Sequence, residues 1–290
     1  MIIDIHTHTF PLKIAPSALH TMQQHCHTAL FSDGTEAGLT GCEKRAGVDL
    51  AVVQPVATNP ETVSHINDSV IRTNEHTRET GILSFGAMHP ACPYWESELE
   101  RIREAGVAGI KMHPAYISID IDDPRSVAIL RKCRDLGLIV LIHSGLDVGI
   151  PGAMEALPAK IRLALDKTGP VKLIAAHMGG WKCWQEGKNL LADTGICIDT
   201  AFALGRMTPA PDGHPWKPED LNLLEEDEFC ELIRAYGTDH VLFGTDSPWT
   251  EPATEAANIR KLPLDASEIN RILGGNAKRM LREAGIDCIP

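Results

Sequence analysis

Short runs rich in β-branched and other apolar residues alternate with longer stretches of helical period along the whole chain. The strand candidates are residues 2–6 (IIDIH), 49–54 (DLAVVQ), 82–87 (ILSFGA), 107–112 (VAGIKM), 138–143 (LIVLIH), 172–177 (KLIAAH), 196–200 (ICIDT) and 240–245 (HVLFGT). The helical stretches between them include WESELERIREAG, SVAILRKCRDLG, AKIRLALDKTG and DEFCELIRAYG. Each closes on Gly, the usual stop before a following strand. Eight strands, each followed by a crossover helix, predict an α/β fold of the (β/α)8 TIM-barrel type, a single domain over residues 1–290. An open doubly wound sheet is the alternative, but it has no natural need of eight such units. The tail ASEINRILGGNAKRMLREAG predicts one or two closing helices.

Two connections are long. Residues 9–47 carry His20, His25 and His27 with little periodicity before a helix near GCEKRAG. Residues 201–224 hold Pro209, Pro211, Pro215 and Pro218 with Gly205 and Gly213. In a barrel both lie on the C-terminal face, where they form walls or a lid over a site. The stretch His25-Cys26-His27 reads as a surface excursion.

The strands end in polar residues: His6 and His8 on the first, Lys111 and His113 on the fourth, His143 on the fifth, His177 on the sixth and Asp246 on the eighth. On a strand, residues i and i+2 point the same way, about 7 Å apart. Asp4, His6 and His8 therefore share a face opposite Ile3 and Ile5. The same parity groups Gly109, Lys111 and His113; Ile139, Leu141 and His143; Leu173, Ala175 and His177; and Leu242, Gly244 and Asp246. Small or apolar members fill the barrel interior, and the polar ones reach its rim. One buried histidine is usually a satisfied core residue, and a lone HTH tripeptide fits a surface pair. Five polar strand ends at one rim point to a site instead.

Several His with one Asp and no Cys form an N/O donor set for one divalent metal, Zn2+ first, with Mn2+ and Fe2+ as alternatives. His6, His8, His143 and Asp246 as ligands leave an open position for a water, whose pKa a metal lowers to about 7. Asp246 then serves as general base, and His177 stands beside the open position. Asp4 either supports the ligands by hydrogen bonding or makes a structural bond in the barrel floor.

Composition narrows the partners. The chain has 39 acidic against 27 basic residues, a formal charge of -12, and no basic run, which argues against nucleic acid. No apolar run approaches the roughly 20 residues of a membrane span, and no leader pattern opens the chain, so a cytoplasmic protein is expected. Cys26, Cys42, Cys92, Cys133, Cys183, Cys197, Cys230 and Cys288 are scattered without a CxxC pair and read as free thiols.

The ordered motifs HTH, IHSG, AAHMGG, LFGTDSPW and ILGGNAKRML run from residue 2 to about residue 282. Together they resemble the amidohydrolase superfamily, and within it the amidohydrolase-2 branch that includes relatives of aminocarboxymuconate-semialdehyde decarboxylase. The resemblance implies metal ligands at His6, His8, His143 and Asp246, and a catalytic or metal-proximal histidine at His177. In some members the fourth strand supplies a carboxylated lysine or a Glu that bridges two metals; the decarboxylases have no ligand there. GIKMHP offers Lys111 either as such a bridge, bringing a second metal, or as an unmodified ammonium paired with a carboxylate. The neighbouring His113 competes for the same space.

Arg206 is a candidate grip for a substrate carboxylate, and Trp181, Trp184 and Trp249 are candidate walls for an organic ring, with His113 beside them. His89 is a further rim histidine, and EEDE at 225–228 predicts a helix N-terminus. The leading expectation is a metal-dependent hydrolase acting on an amide, ester or lactone bond of a small molecule. The alternative is a lyase, a non-oxidative decarboxylase or hydratase of an unsaturated or aromatic carboxylic acid. A barrel that binds metal without turnover is the third reading. A bridging residue on the fourth strand favours hydrolysis; a single metal with a carboxylate clamp favours the lyase. A homo-oligomer is compatible with the sequence.

Overall fold

The apolar runs form strands that are buried on both faces. The computed structural model describes residues 1–286, in which the strand segments are β1 (Ile3–Thr7), β2 (Leu50–Val53), β3 (Ile82–Ser84), β4 (Gly86–Ala87), β5 (Gly109–Met112), β6 (Ile139–Ile142), β7 (Leu173–Ala175), β8 (Cys197–Asp199) and β9 (Val241–Leu242). Neighbours pair in parallel, in the orders β1-β2-β3 and β4-β5-β6-β7-β8-β9. β3 and β4 are two halves of one barrel strand, continuous through Phe85, whose N–H donates to Val53 O at 3.0 Å. Backbone bonds from Ile5 N to Phe243 O (2.9 Å) and from Asp246 N to His6 O (2.7 Å) join β1 to the stretch after β9. The result is the (β/α)8 barrel that the alternation predicts.

Two apolar layers hold it. Ile3, Ile5, Val52, Phe85, Ile139, Leu141, Ile174 and Leu242 cluster inside the barrel. Ile110, Met112, Val140, Ile142, Leu173 and Ala175 cluster with residues of the helices, among them Leu130 and Phe229. The four helices expected from the amphipathic stretches run Trp95–Glu104, Pro124–Leu136, Pro158–Thr168 and Glu226–Tyr236. The second is capped by Asp123, whose side chain accepts from Arg125 N, and stops at Gly137, at φ 70°, which glycine adopts without a Cβ penalty. The EEDE run is a capping box: Glu225 and Glu228 close reciprocally on the first turn of its helix.

Residues 9–47 contain more structure than their pattern predicts: helix α1 (Ala15–Cys26) precedes α2 (Glu36–Ala46). Only Ala15, Leu19 and Cys26 of α1 are buried, so its apolar stripe is too narrow to show as a period. The two long connections are fastened to each other. Ala29 N donates to Thr208 O (2.8 Å), Ala210 N to His27 O (2.9 Å), and His27 Nδ1 lies 2.8 Å from Asp212 Oδ2. The His27 ring also stacks on His214 at 3.8 Å, so His27 belongs to this fastening, while His20 and His25 are exposed. Cys26, Cys42, Cys92, Cys133, Cys183, Cys197 and Cys230 are free thiols, and Cys288 lies outside the described residues. Among the described residues no helix is long and apolar enough to cross a membrane.

Strict pleat parity does not hold at two strands. In β1 the pairing steps from Asp4↔Ala51 to Thr7↔Val53, three residues against two, which is a bulge. Ile3 and Ile5 face the interior, and the extra residue turns His6 inward as well. Asp4 is not below His6 but on the other face, where its carboxylate accepts from Thr245 Oγ1 (2.5 Å) and Thr245 N (3.1 Å). In β7 it is Ile174, not Leu173 or Ala175, that faces inward. His177 reaches the rim because its own backbone is left-handed, at φ 59° and ψ 51°.

Behind β1, Glu43 of α2 is buried, and its carboxyl meets that of Asp4 in a hydrogen bond that needs one of the two protonated. Burial, followed by the charge of Asp4, raises its pKa well above the ordinary value. Burial and the charges of Asp4 and Glu251 push Glu255 up to about 8. An acid whose folded pKa is raised holds its proton longer in the folded state, so stability is present at low pH and falls as pH rises through that pKa. Replacing Glu255 by Gln removes this loss. Glu255→Gln is therefore expected to melt close to the wild type at pH 4.5 and at least about 1.5 °C above it at pH 8.5, the shift that about 1 kcal/mol gives in a chain of this size. A difference in melting temperature that does not grow with pH contradicts the assignment.

Candidate metal centre

The site begins at the β1 bulge and is oriented by Asp199, the last residue of β8. Asp199 Oδ2 accepts from His6 Nδ1 at 2.9 Å, and Oδ1 accepts from His177 N at 2.8 Å and Ala201 N at 3.2 Å. Because the His6 proton is committed to Asp199 on Nδ1, its Nε2 presents a lone pair to the rim. Gly244 makes room for that ring, since a Cβ there would lie 3.0 Å from His6 Cβ.

Asp246 follows β9 and closes the cluster. Its Oδ1 lies 3.1 Å from His8 Nε2 and 3.5 Å from His6 Nε2. Burial alone raises the Asp246 carboxyl, but the hydrogen bond from His8 and the electrostatic pull of the surrounding His6, His8 and His177 rings hold it well below the ordinary carboxylate range. One ligand atom from each of His6, His8 and Asp246 lies within 4.8 Å of the other two. Two imidazole nitrogens and an ionised carboxylate are a fitting donor set for a divalent ion of the Zn2+ or Mn2+ kind.

Lys111 shares this space. It is 1% exposed, and its Nζ donates to His6 Nε2 at 3.1 Å. Burial lowers its pKa to about 8, against the opposing charges of Asp246, Asp199 and Asp147.

His143, grouped with the ligands in the sequence, stands in an adjoining cluster. Its Nε2 donates to Leu146 O at 2.9 Å, and its Nδ1 faces His177 Nε2 at 3.2 Å. His177 in turn donates from Nδ1 to Ala201 O at 2.9 Å. Both rings thus have their protons on backbone carbonyls, and two lone pairs face each other, an arrangement that a cation relieves. His113 stacks on His143 at 4.3 Å, and both lie 3.5 Å from Asp147 Oδ2, forming a second three-donor group. Burial and the charge of Lys111 hold His143 at about 4, so its ring is neutral and able to ligate.

A cavity of about 940 Å3 opens over both clusters. Lys111, His113, Trp181 and Trp249 line it, and Trp249 meets the His8 ring edge-on at 5.6 Å. Arg206 is exposed and lies outside the lining, Trp184 donates from Nε1 to His177 O, and His89 accepts from Ala91 N in its own turn. Asp199 and Asp147 are the residues that sequence reasoning passed over. Asp199 had a signal, as a polar residue ending its strand like the others; Asp147, inside a loop, had none.

The model of the amidohydrolase family matches residues 3–282. No curated protein matches the sequence. Among solved structures, an uncharacterized TIM-barrel protein from Bordetella bronchiseptica is similar with a TM-score of 0.75 at 17% identity, over 98% of this chain and 99% of that one. A 2,6-dihydroxybenzoate decarboxylase from Rhizobium is similar with a TM-score of 0.67 at 14% identity, over 98% and 99% of the two chains. A 5-carboxyvanillate decarboxylase from Novosphingobium aromaticivorans, solved with manganese and 4-hydroxy-3-methoxy-5-nitrobenzoic acid, is similar with a TM-score of 0.68 at 14% identity, over 97% and 96%. At these identities the structures share the fold.

The ligand assignment leads to a measurable outcome. His8→Ala and Asp246→Asn are each expected to lower tightly bound metal at least tenfold, measured by elemental analysis of protein purified without chelator. A full complement of metal in either variant rejects the three-donor site.

Proposed function

This chain belongs to the amidohydrolase family, and we propose that within it the chain is a metal-dependent lyase that removes CO2 from a small unsaturated or aromatic carboxylic acid. The alternative weighed beside hydrolysis thus becomes the preferred reading. One observation carries it: Lys111, buried beside the three-donor cluster, is the sole lysine or arginine among the described residues lining the cavity. With His6 Nε2 given over to an ion, the Lys111 ammonium beside it would turn to a substrate carboxylate drawn to the same spot. The decarboxylases among the similar structures, one of them solved with manganese, add support.

His6, His8 and Asp246 would hold the ion, which when bound supplies a positive charge that fixes the acid and stabilises negative charge developing on it. Lys111 holds the carboxylate. Asp246, kept ionised by its histidine neighbours, takes a proton from water or from a hydroxyl of the acid and delivers it to the substrate carbon. The carbon–carboxylate bond breaks, CO2 leaves, and the carbon keeps the electron pair that the proton then occupies. His177, whose Nδ1 donates to Ala201 O, presents its Nε2 lone pair beside His143 Nδ1, where it accepts from a hydroxyl of the acid. Trp181 and Trp249 exclude water from the ring face.

Hydrolysis is kept as a second reading by the group His113, His143 and Asp147. Those donors fit a second ion, as a two-metal hydrolase requires. A carboxylated Lys111 would serve that chemistry, whereas an unmodified Lys111 serves the lyase.

The deciding experiment adds Mn2+ or Zn2+ to chelator-treated protein and assays CO2 release from aromatic and unsaturated acids beside hydrolysis of lactones, esters and amides. Metal-dependent CO2 release is the expected outcome; turnover confined to lactones, esters or amides reverses the assignment. A second measurement concerns His177. His177→Asn should retain most of its metal while kcat falls about 10²–10⁴-fold, the range for a positioned acid–base group. Parallel loss of metal and activity would make His177 a ligand.

A further inference from the structure

The cavity over the metal cluster is far larger than a single-ring acid requires. A benzene ring fits a cavity of about 150 Å3, whereas this one encloses about 940 Å3, near the top of the roughly 300–1,000 Å3 range of ligand sites. Two helices contribute apolar side chains to its lining. Ile14, at the start of α1, and Ala18, Met22 and Cys26 within it line the cavity at every fourth position, so one face of the helix is turned to the slot. From the helix Val63–Glu75, Ile66 and Val70 line it at i and i+4, flanked by His65, Ser69 and Thr73. Ile14 is 50% exposed and marks an apolar mouth. Cationic side chains do not continue along this slot, since Lys111 at the rim is the sole lysine or arginine among the described lining residues.

We propose that the substrate is a monocarboxylic acid with an extended apolar body, its carboxylate at the rim and its body in the slot between α1 and Val63–Glu75. The carboxylate end rests on the lyase reading above; the apolar end rests on the two helix faces alone. A second carboxylate finds no further lysine or arginine among the described lining residues, and a small polar ring leaves the side lined by Ala18, Met22, Ile66 and Val70 to water, which apolar walls hold poorly. Each methylene of a substrate body displaces such water and contributes a hydrophobic increment.

The test is calorimetric titration of metal-loaded protein with the straight-chain acids from hexanoate to decanoate, and with the corresponding primary amides. Affinity for the acids is expected to rise roughly threefold to fourfold per methylene, the factor that burial of one CH2 gives. Ala18→Trp, on one wall, and Val70→Trp, on the other, should each flatten the series, so the test survives if one variant fails to fold. An increment in the acids alone supports both the slot and the carboxylate reading. An equal increment in the amides, at equal affinity, keeps the slot and removes the carboxylate reading. Affinities independent of chain length, or increments that survive both Trp substitutions, overturn the slot.

Discussion

The Asp199 carboxylate holds three groups at once, and the rim is arranged around it. One oxygen takes the His6 proton on Nδ1; the other takes the backbone N–H of His177 and of Ala201. The first bond fixes which His6 nitrogen faces the rim. The second steadies the left-handed turn at His177, a conformation that costs about 1–3 kcal/mol for a residue with a Cβ and needs surrounding bonds to persist. Asp199 is itself fully buried, and burial raises its carboxyl against the charges of His177 and Lys111 and the bonds from His177 and Ala201. A buried carboxylate of this kind is retained only where its donors are all in place. Loss of Asp199 would therefore disturb the tautomer of one histidine and the backbone of another, though neither lies beside it in the sequence.

The barrel was legible because parallel strands covered on both faces appear as continuous apolar runs, and the helices between them keep a clear amphipathic period. The identity of the polar rim was legible too, since His6, His8, Lys111, His143, His177 and Asp246 all follow such runs. Their directions were less so. Pleat counting assumes an uninterrupted strand, and it fails where β1 bulges and where β7 gives way to left-handed residues. Both departures sit next to the candidate ligands, where strain and re-aiming concentrate. Helix α1 escaped notice because most of its residues face solvent or the cavity rather than a core, so burial leaves little pattern in its sequence.

The separation of His143 from His6, His8 and Asp246 has a physical origin in the hydrogen bonds of its two ring nitrogens. One is drawn to Leu146 O in the following loop, the other meets His177, and the ring stacks on His113. The rim thus carries two donor groups joined through the His143–His177 contact. A charge introduced at either group is felt at the other across a few buried ångströms, where screening by water is weak. Lys111 lies in reach of both, and its ammonium lowers the basicity of His143 and His177 alike.

The bonds that fasten the connection after β1 to the connection after β8 bear on how such a pocket changes over time. His27 and Asp212 stand 185 residues apart in the chain, yet their side chains meet, and backbone bonds from Ala29 and Ala210 run beside them. Neither connection can lengthen or shorten without stranding donors and acceptors on the other. Recombination that swaps one alone would break this stitching. The heritable module at this end of the barrel is therefore the pair, and variation in one connection is expected to travel with compensating variation in its distant partner.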